Sequence, residues 1–178
     1  MISIPFGGIE IAAGSGTQAL SSTAALFNLW NASTGSNKTN TGDAGDPAVQ
    51  PDKANNRVKV NSPGTYLVQF DIVGETDTAK IITARLRKNG SAVAGAMAQL
   101  SWAGSNAKNT MSFVAIVPVS QSDSPGTIST MPAASTTGFS GASGALQTSV
   151  ALDVTLESDS GTPTVTINNA HLNVMRLS

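Results

Sequence analysis

Asn56–Gly74 reads NRVKVNSPGTYLVQFDIVG, and after a polar connection Ala84–Ala94 reads ARLRKNGSAVA. Tyr66, Val68, Phe70 and Ile72 alternate with Leu67, Gln69 and Asp71, a period of two that puts one face of a strand into a core. Lys88-Asn89-Gly90 then falls between two short strand-like runs, and Asn-Gly supplies the positive φ of a tight hairpin turn. The stretch sets an antiparallel β fold and its register. It names no chemistry.

Working outward, Thr148–Glu157 has the cleanest alternation. Val150, Leu152, Val154 and Leu156 face one way, and Ala151, Asp153, Thr155 and Glu157 the other. Thr164–Leu177 reads as the last strand, with a slip of parity between Val165, Ile167 and Ala170, Leu172, Val174. A bulge at Asn168-Asn169 repairs it. Asn109–Val119 is a nearly continuous apolar run, which predicts a strand buried on both faces, with Pro118 near its end. Ala24–Trp30 and Ala96–Trp102 complete the candidate strands, and the aromatics Trp30, Tyr66 and Trp102 fall in core positions.

Three regions lack periodicity. Residues 1–20 are apolar at Ile2, Ile4, Phe6 and Ile9 but broken by glycines, and read as an extended arm docking on another surface. Residues 31–55 form a polar loop containing Asp43, Asp46 and Asp52. Their spacing is not that of an EF-hand, so turn chemistry accounts for them better than an ion bound at 43–52. Residues 120–147 are almost free of charge, with apolar anchors at Ile128, Met131, Phe139 and Leu146, and read as a segment that lies on another protein. The expected fold is an all-β jelly-roll sandwich of about 8–10 antiparallel strands. It comprises an arm (1–20) and one domain (21–178) with long loops at 31–55 and 120–147.

Composition narrows the function. The 40% apolar content argues against a disordered chain. With no cysteine, disulfides, thiolate nucleophiles and Cys-ligated zinc are excluded. Net charge is −1, and only Arg85, Arg87 and Lys88 cluster, which is not the basic patch of a nucleic-acid binder. They read as a solvated strand end. Met1–Pro5 lacks a basic n-region and no apolar run reaches membrane length, so synthesis in a cytoplasm with no membrane partner is expected.

No catalytic constellation emerges. His171, the single histidine, falls on the face opposite Leu172 and Val174 and reads as a polar-face or subunit-contact residue. Gly138–Gly144 misses the spacing of a nucleophile elbow. Asp153 and Glu157 stand about 13 Å apart on a strand, too far for a glycosidase pair, and read as solvent-facing charges. No cofactor is expected.

Pro63-Gly64-Thr65-Tyr66-Leu67-Val68-Gln69-Phe70 followed by Leu86-Arg87-Lys88-Asn89-Gly90-Ser91 resembles the tumour-necrosis-factor-like superfamily, which includes complement globular heads and phage virion proteins. The resemblance covers residues 56–177 and implies a ten-stranded jelly roll that assembles as a compact trimer, with Tyr66, Phe70, Leu172 and Val174 in the trimer core. Two departures stand out: 120–147 replaces a tight Gly-Asp turn, and aromatics are sparse, which argues against a cytokine role.

The expected function is therefore a non-enzymatic structural virion protein: a homotrimeric bacteriophage capsid decoration or cement protein. It would sit on the capsid surface and contact the major capsid protein through Ile2, Ile4, Phe6, Ile9, Ile128, Met131, Phe139 and Leu146. The alternative is the receptor-binding head of a tail fibre or spike.

Overall fold

The structure, a computed structural model, describes residues 4–11, 16–31, 35–40, 48–105, 107–123 and 149–178, with backbone alone for 31, 35–40 and 121. Its strands are β1 (Phe6–Ile11), β2 (Gly16–Ala19), β3 (Ala25–Leu26), β4 (Gly35–Asn40), β5 (Val49–Asp52), β6 (Arg57–Val60), β7 (Gly64–Thr76), β8 (Lys80–Lys88), β9 (Ser91–Trp102), β10 (Asn109–Val119), β11 (Val150–Ser158) and β12 (Thr164–Arg176). They form two antiparallel sheets. The first runs β10-β7-β12-β1-β4, with β2 also on β12; the second runs β5-β6-β11-β8-β9, with β3 also on β11. This is a jelly-roll β-sandwich.

The alternating strands behave as their sequences require. Tyr66, Val68, Phe70 and Ile72 of β7 face Leu86, Leu152, Val154 and Leu156 of the second sheet within one core. Asn89 and Gly90 adopt φ +50° and +80°, the left-handed pair of a two-residue hairpin. The β12 register shifts between Ile167 and Asn169, as the parity slip predicts. Gly74 lies where the shift occurs. A Cβ there would stand 2.6 Å from the Thr166 carbonyl oxygen and 3.2 Å from the Trp102 ring, so only glycine lets the strands and the indole approach.

Other expectations are corrected. The 1–20 stretch is not an arm: β1 is an interior strand between β12 and β4, and β2 pairs with Val165 and its neighbours. Ile9 and Ile11 are core residues, each 1% exposed. Gly7 and Gly8 break the apolar pattern because Val49 and Asn173 occupy the space above them. Ala24–Trp30 pairs only at Ala25–Leu26 before a 3-10 turn at Leu29–Asn31. That turn carries Phe27 and Trp30 into the core, edge-to-face at 4.7 Å, a geometry that adds roughly 1 kcal/mol to their burial.

The described residues of the 31–55 region also fold, into β4, β5 and a 3-10 turn at Lys53–Asn55. These are short polar strands held by backbone pairing, so no apolar period announces them. β10 is buried on one face only. Met111, Phe113, Val117 and Val119 point inward, whereas Ser112, Val114, Ile116 and Pro118 are exposed. Its continuous apolar run reflects one core face and one outward apolar face.

Candidate interaction face

Pairing registers place the outward side chains of the first sheet in rows. Ile116 of β10 stands opposite Leu67 of β7, Leu67 opposite Met175 of β12, and Met175 opposite Phe6 of β1. Toward the adjacent end, Pro118 faces Thr65, the Leu177 N–H donates to the Thr65 carbonyl at 2.7 Å, and the Arg176 N–H donates to the Pro5 carbonyl at 2.9 Å. Leu177 and Ile4 are thus brought alongside. Exposure is 64% at Ile116, 62% at Val114, 53% at Ile4, 50% at Leu177 and 41% at Phe6. Four strands at about 4.8 Å spacing make this apolar block roughly 15 Å wide. A contiguous patch of this kind marks an interaction surface, unlike scattered surface leucines.

The outer face of the second sheet is built differently. Arg85 pairs with Glu157 at 2.8 Å and Arg87 with Asp153 at 2.7 Å, so the expected solvated cations and carboxylates are one another's partners. The Asp52 carboxylate meets Lys59 at 2.8 Å and Arg57 at 3.0 Å, and accepts from Asn55 Nδ2 at 2.8 Å. Burial acts to raise its pKa, but the hydrogen bonds from Lys59, Asn55 and Arg57 prevail and hold it at about 2. Its oxygens are taken by protein donors, leaving it poorly suited to an ion; Asp43 and Asp46 lie outside the described residues. This face has its charges satisfied internally, whereas the apolar block on the other has no partner among the described residues.

The two sheets end side by side at β9 and β10. Neither edge strand contains Asp, Glu, Lys or Arg, the residues that usually protect an open edge from pairing with another chain.

The hairpin at Asn89 organises the same end of the sandwich. Lys88 Nζ donates to the Asp123 carboxylate at 2.8 Å and to the Pro118 carbonyl at 3.2 Å. Asn89 Nδ2 donates to the Asp123 carbonyl. Its Oδ1 accepts from the Ala151 N–H and its own N–H donates to the Ala151 carbonyl, both at 2.9 Å. The hydrogen bond from Lys88, followed by that from the Ser120 N–H, holds the Asp123 carboxyl at about 2. Residue 123, near the start of the 120–147 segment, and residue 151, just beyond its end, are thereby tied to one turn.

His171 lies on the face of the apolar block, two rows from Met175 and one from the row of Val114. Its Nδ1 is 2.7 Å from Asp71 Oδ2 and its Nε2 is 3.5 Å from Glu10 Oε2. Among the described residues no group of three or more His, Asp or Glu is placed to hold a metal ion.

The residues singled out from sequence separate into three sets. Ile4 and Phe6 belong to the exposed block. Ile9, Tyr66, Phe70, Leu172 and Val174 lie in the protomer's own core, each at most 1% exposed, so they cannot touch a second chain in this conformation. The Tyr66 hydroxyl donates to the Ser62 carbonyl at 2.7 Å, and burial raises its pKa. Ile2, Ile128, Met131, Phe139 and Leu146 fall outside the described residues. Sequence reasoning missed Leu67, Val114, Ile116, Met175 and Leu177. The signal was present in their odd or outward parity, opposite the core residues of the same strands.

No protein-family model matches this sequence, and comparison with curated sequences finds no match. Solved structures do resemble the fold. Eiger TNF from S. frugiperda superposes with a TM-score of 0.57 at 12% identity, over 98% of this chain and 94% of that one. Murine APRIL superposes with a TM-score of 0.53 at 8% identity, over 98% of this chain and 100% of that one. At such identities the likeness concerns the fold: the chain has the jelly-roll architecture of tumour-necrosis-factor-like proteins.

Proposed function

We propose that this chain is a non-enzymatic structural protein that assembles as a homotrimer and decorates a bacteriophage capsid. The observation that carries the reading is the outward apolar block of Ile4, Phe6, Val114, Ile116, Met175 and Leu177, unpartnered among the described residues. Its occupant is a second copy. The block faces outward from one sheet, while the uncharged β9–β10 edge closes one side of the sandwich. An interface joining such dissimilar surfaces is heterologous and closes into a ring by rotation.

Attachment to a capsid is the finer part of the proposal. It is supported by the low charge of 120–147 and the apolar residues at the N-terminus, and Ile2, Ile128, Met131, Phe139 and Leu146 remain the proposed contacts to a major capsid protein. A cement protein gains strength by touching several neighbours at once, which a trimer offering three copies of a segment achieves. Co-sedimentation with heads assembled from the major capsid protein of the same genome tests this. The expected result is binding that is lost when residues 124–148 are replaced by a short Gly-Ser linker. A chain that stays in the supernatant, or a linker variant that binds equally well, contradicts the capsid reading. Binding to host cells instead would favour the fibre-head alternative.

A further inference from the structure

We propose that Asn89 is a site of spontaneous deamidation, held off while its side chain is clamped to Asp123 and Ala151 and set free when the Gln121–Asp123 turn lets go. Asn89-Gly90 is the chain's single Asn-Gly pair. A glycine after asparagine leaves the following backbone nitrogen open to approach, because no Cβ shields it. A Cβ on Gly90 would meet nothing within 4 Å, and both residues are exposed at the tip of the hairpin. Water and hydroxide therefore reach the reacting atoms.

The step needs only water. The Gly90 backbone nitrogen gives up its proton to hydroxide and attacks Asn89 Cγ. The bond between that nitrogen and Cγ forms, the Cγ–Nδ2 bond breaks, and Nδ2 leaves as ammonia with a proton from water, which restores the hydroxide. Water then opens the cyclic imide at either carbonyl and leaves aspartate or isoaspartate. Water is consumed and ammonia released in equal number, with no oxidation or reduction.

The fold opposes this step at two atoms. Asn89 Nδ2 donates to the Asp123 carbonyl, and Oδ1 accepts from the Ala151 N–H at 2.9 Å. Ring closure turns Cγ from planar to tetrahedral and swings it toward Gly90, so both bonds must be given up. The Ala151 anchor lies within β11, whereas the Asp123 anchor ends a single 3-10 turn. A short exposed turn opens more readily than a paired core strand. What holds that turn is the Asp123 carboxylate, which takes Lys88 Nζ at 2.8 Å and the Ser120 N–H at 2.7 Å. The product cannot rebuild the clamp, because a carboxylate has no N–H to offer the Asp123 carbonyl. Deamidation thus makes a momentary opening of the turn permanent.

The test is incubation of the full chain in mildly alkaline buffer, with and without urea, followed by mass spectrometry of peptides cut at acid pH. Folded wild type should deamidate at Asn89 at least about tenfold more slowly than the chain in urea, the effect of two hydrogen bonds lost on the way to the transition state. Asp123→Ala and Lys88→Met untie the Gln121–Asp123 turn and leave Asn89, Gly90 and Ala151 in place. In both, that protection should fall about fivefold. Each rate is divided by the same variant's rate in urea, and circular dichroism checks that the variant is folded. Folded wild type that deamidates as fast as the chain in urea overturns the inference. So does protection unchanged in Asp123→Ala or, should that variant not fold, in Lys88→Met.

Discussion

Asn89 joins three pieces of chain through one residue. It takes the left-handed φ of +50° in the hairpin, and it hydrogen-bonds both Ala151 and Asp123. Asn89→Ala loses the side-chain bonds and strains the turn, and should lower unfolding free energy by about 1–2 kcal/mol. Asn89→Gly keeps the turn and should cost about half as much. Urea unfolding of both variants separates conformation from hydrogen bonding. Asp52 gives a second residue-level expectation. Its carboxyl sits at about 2 in the fold against an ordinary 3.8, so its contribution is present above the ordinary value and lost as pH falls through about 2. Solvent around Arg57 screens the pair, leaving about 1 kcal/mol. Asp52→Asn should remove that much stability at neutral pH and flatten the acid limb of the stability curve.

The elements show why some of the fold was legible and some was not. β7 and β11 alternate in the sequence and fold as their alternation says, because each has one fully apolar face and one of mixed, more polar character. β1 has glycines at two of its six positions, so its sequence looks like a broken tail, although backbone pairing on both sides makes it an interior strand. β4 and β5 are polar and announce nothing. β10 was legible as a strand but misleading about burial: hydrophobicity alone does not distinguish a core face from a face awaiting a partner. The candidate face was missed for the same reason, since Tyr66, Phe70, Leu172 and Val174 are apolar in strands whose outward neighbours Leu67 and Met175 are apolar too. Interior placement of β1 makes a clear prediction. Removing residues 1–11 exposes the edges of β12 and β4 and deletes Ile9 and Ile11 from the core. The shortened chain should lose its cooperative unfolding transition by circular dichroism, whereas a dispensable arm would leave the transition intact.

At the scale of the whole molecule, the two outer faces are unlike. One carries matched ion pairs on β8 and β11, and the other an apolar block at the end where the N-terminal strand, the C-terminal residues and the Asn89 hairpin converge. That asymmetry supports an assembly in which the apolar face turns inward and the paired charges face water. A single lysine at Ile116, the most exposed member of the block, would place an unpaired charge in such an interface while remaining solvated in the protomer. Truncating or charging a central interface residue commonly weakens binding by 2 kcal/mol or more, about thirtyfold. The most direct measurement is the solution mass of the wild type and Ile116→Lys by light scattering. A trimer held by this face gives three times the 18.0 kDa protomer for the wild type and a folded monomer for the variant. A monomeric wild type, or a variant that remains trimeric, would contradict it.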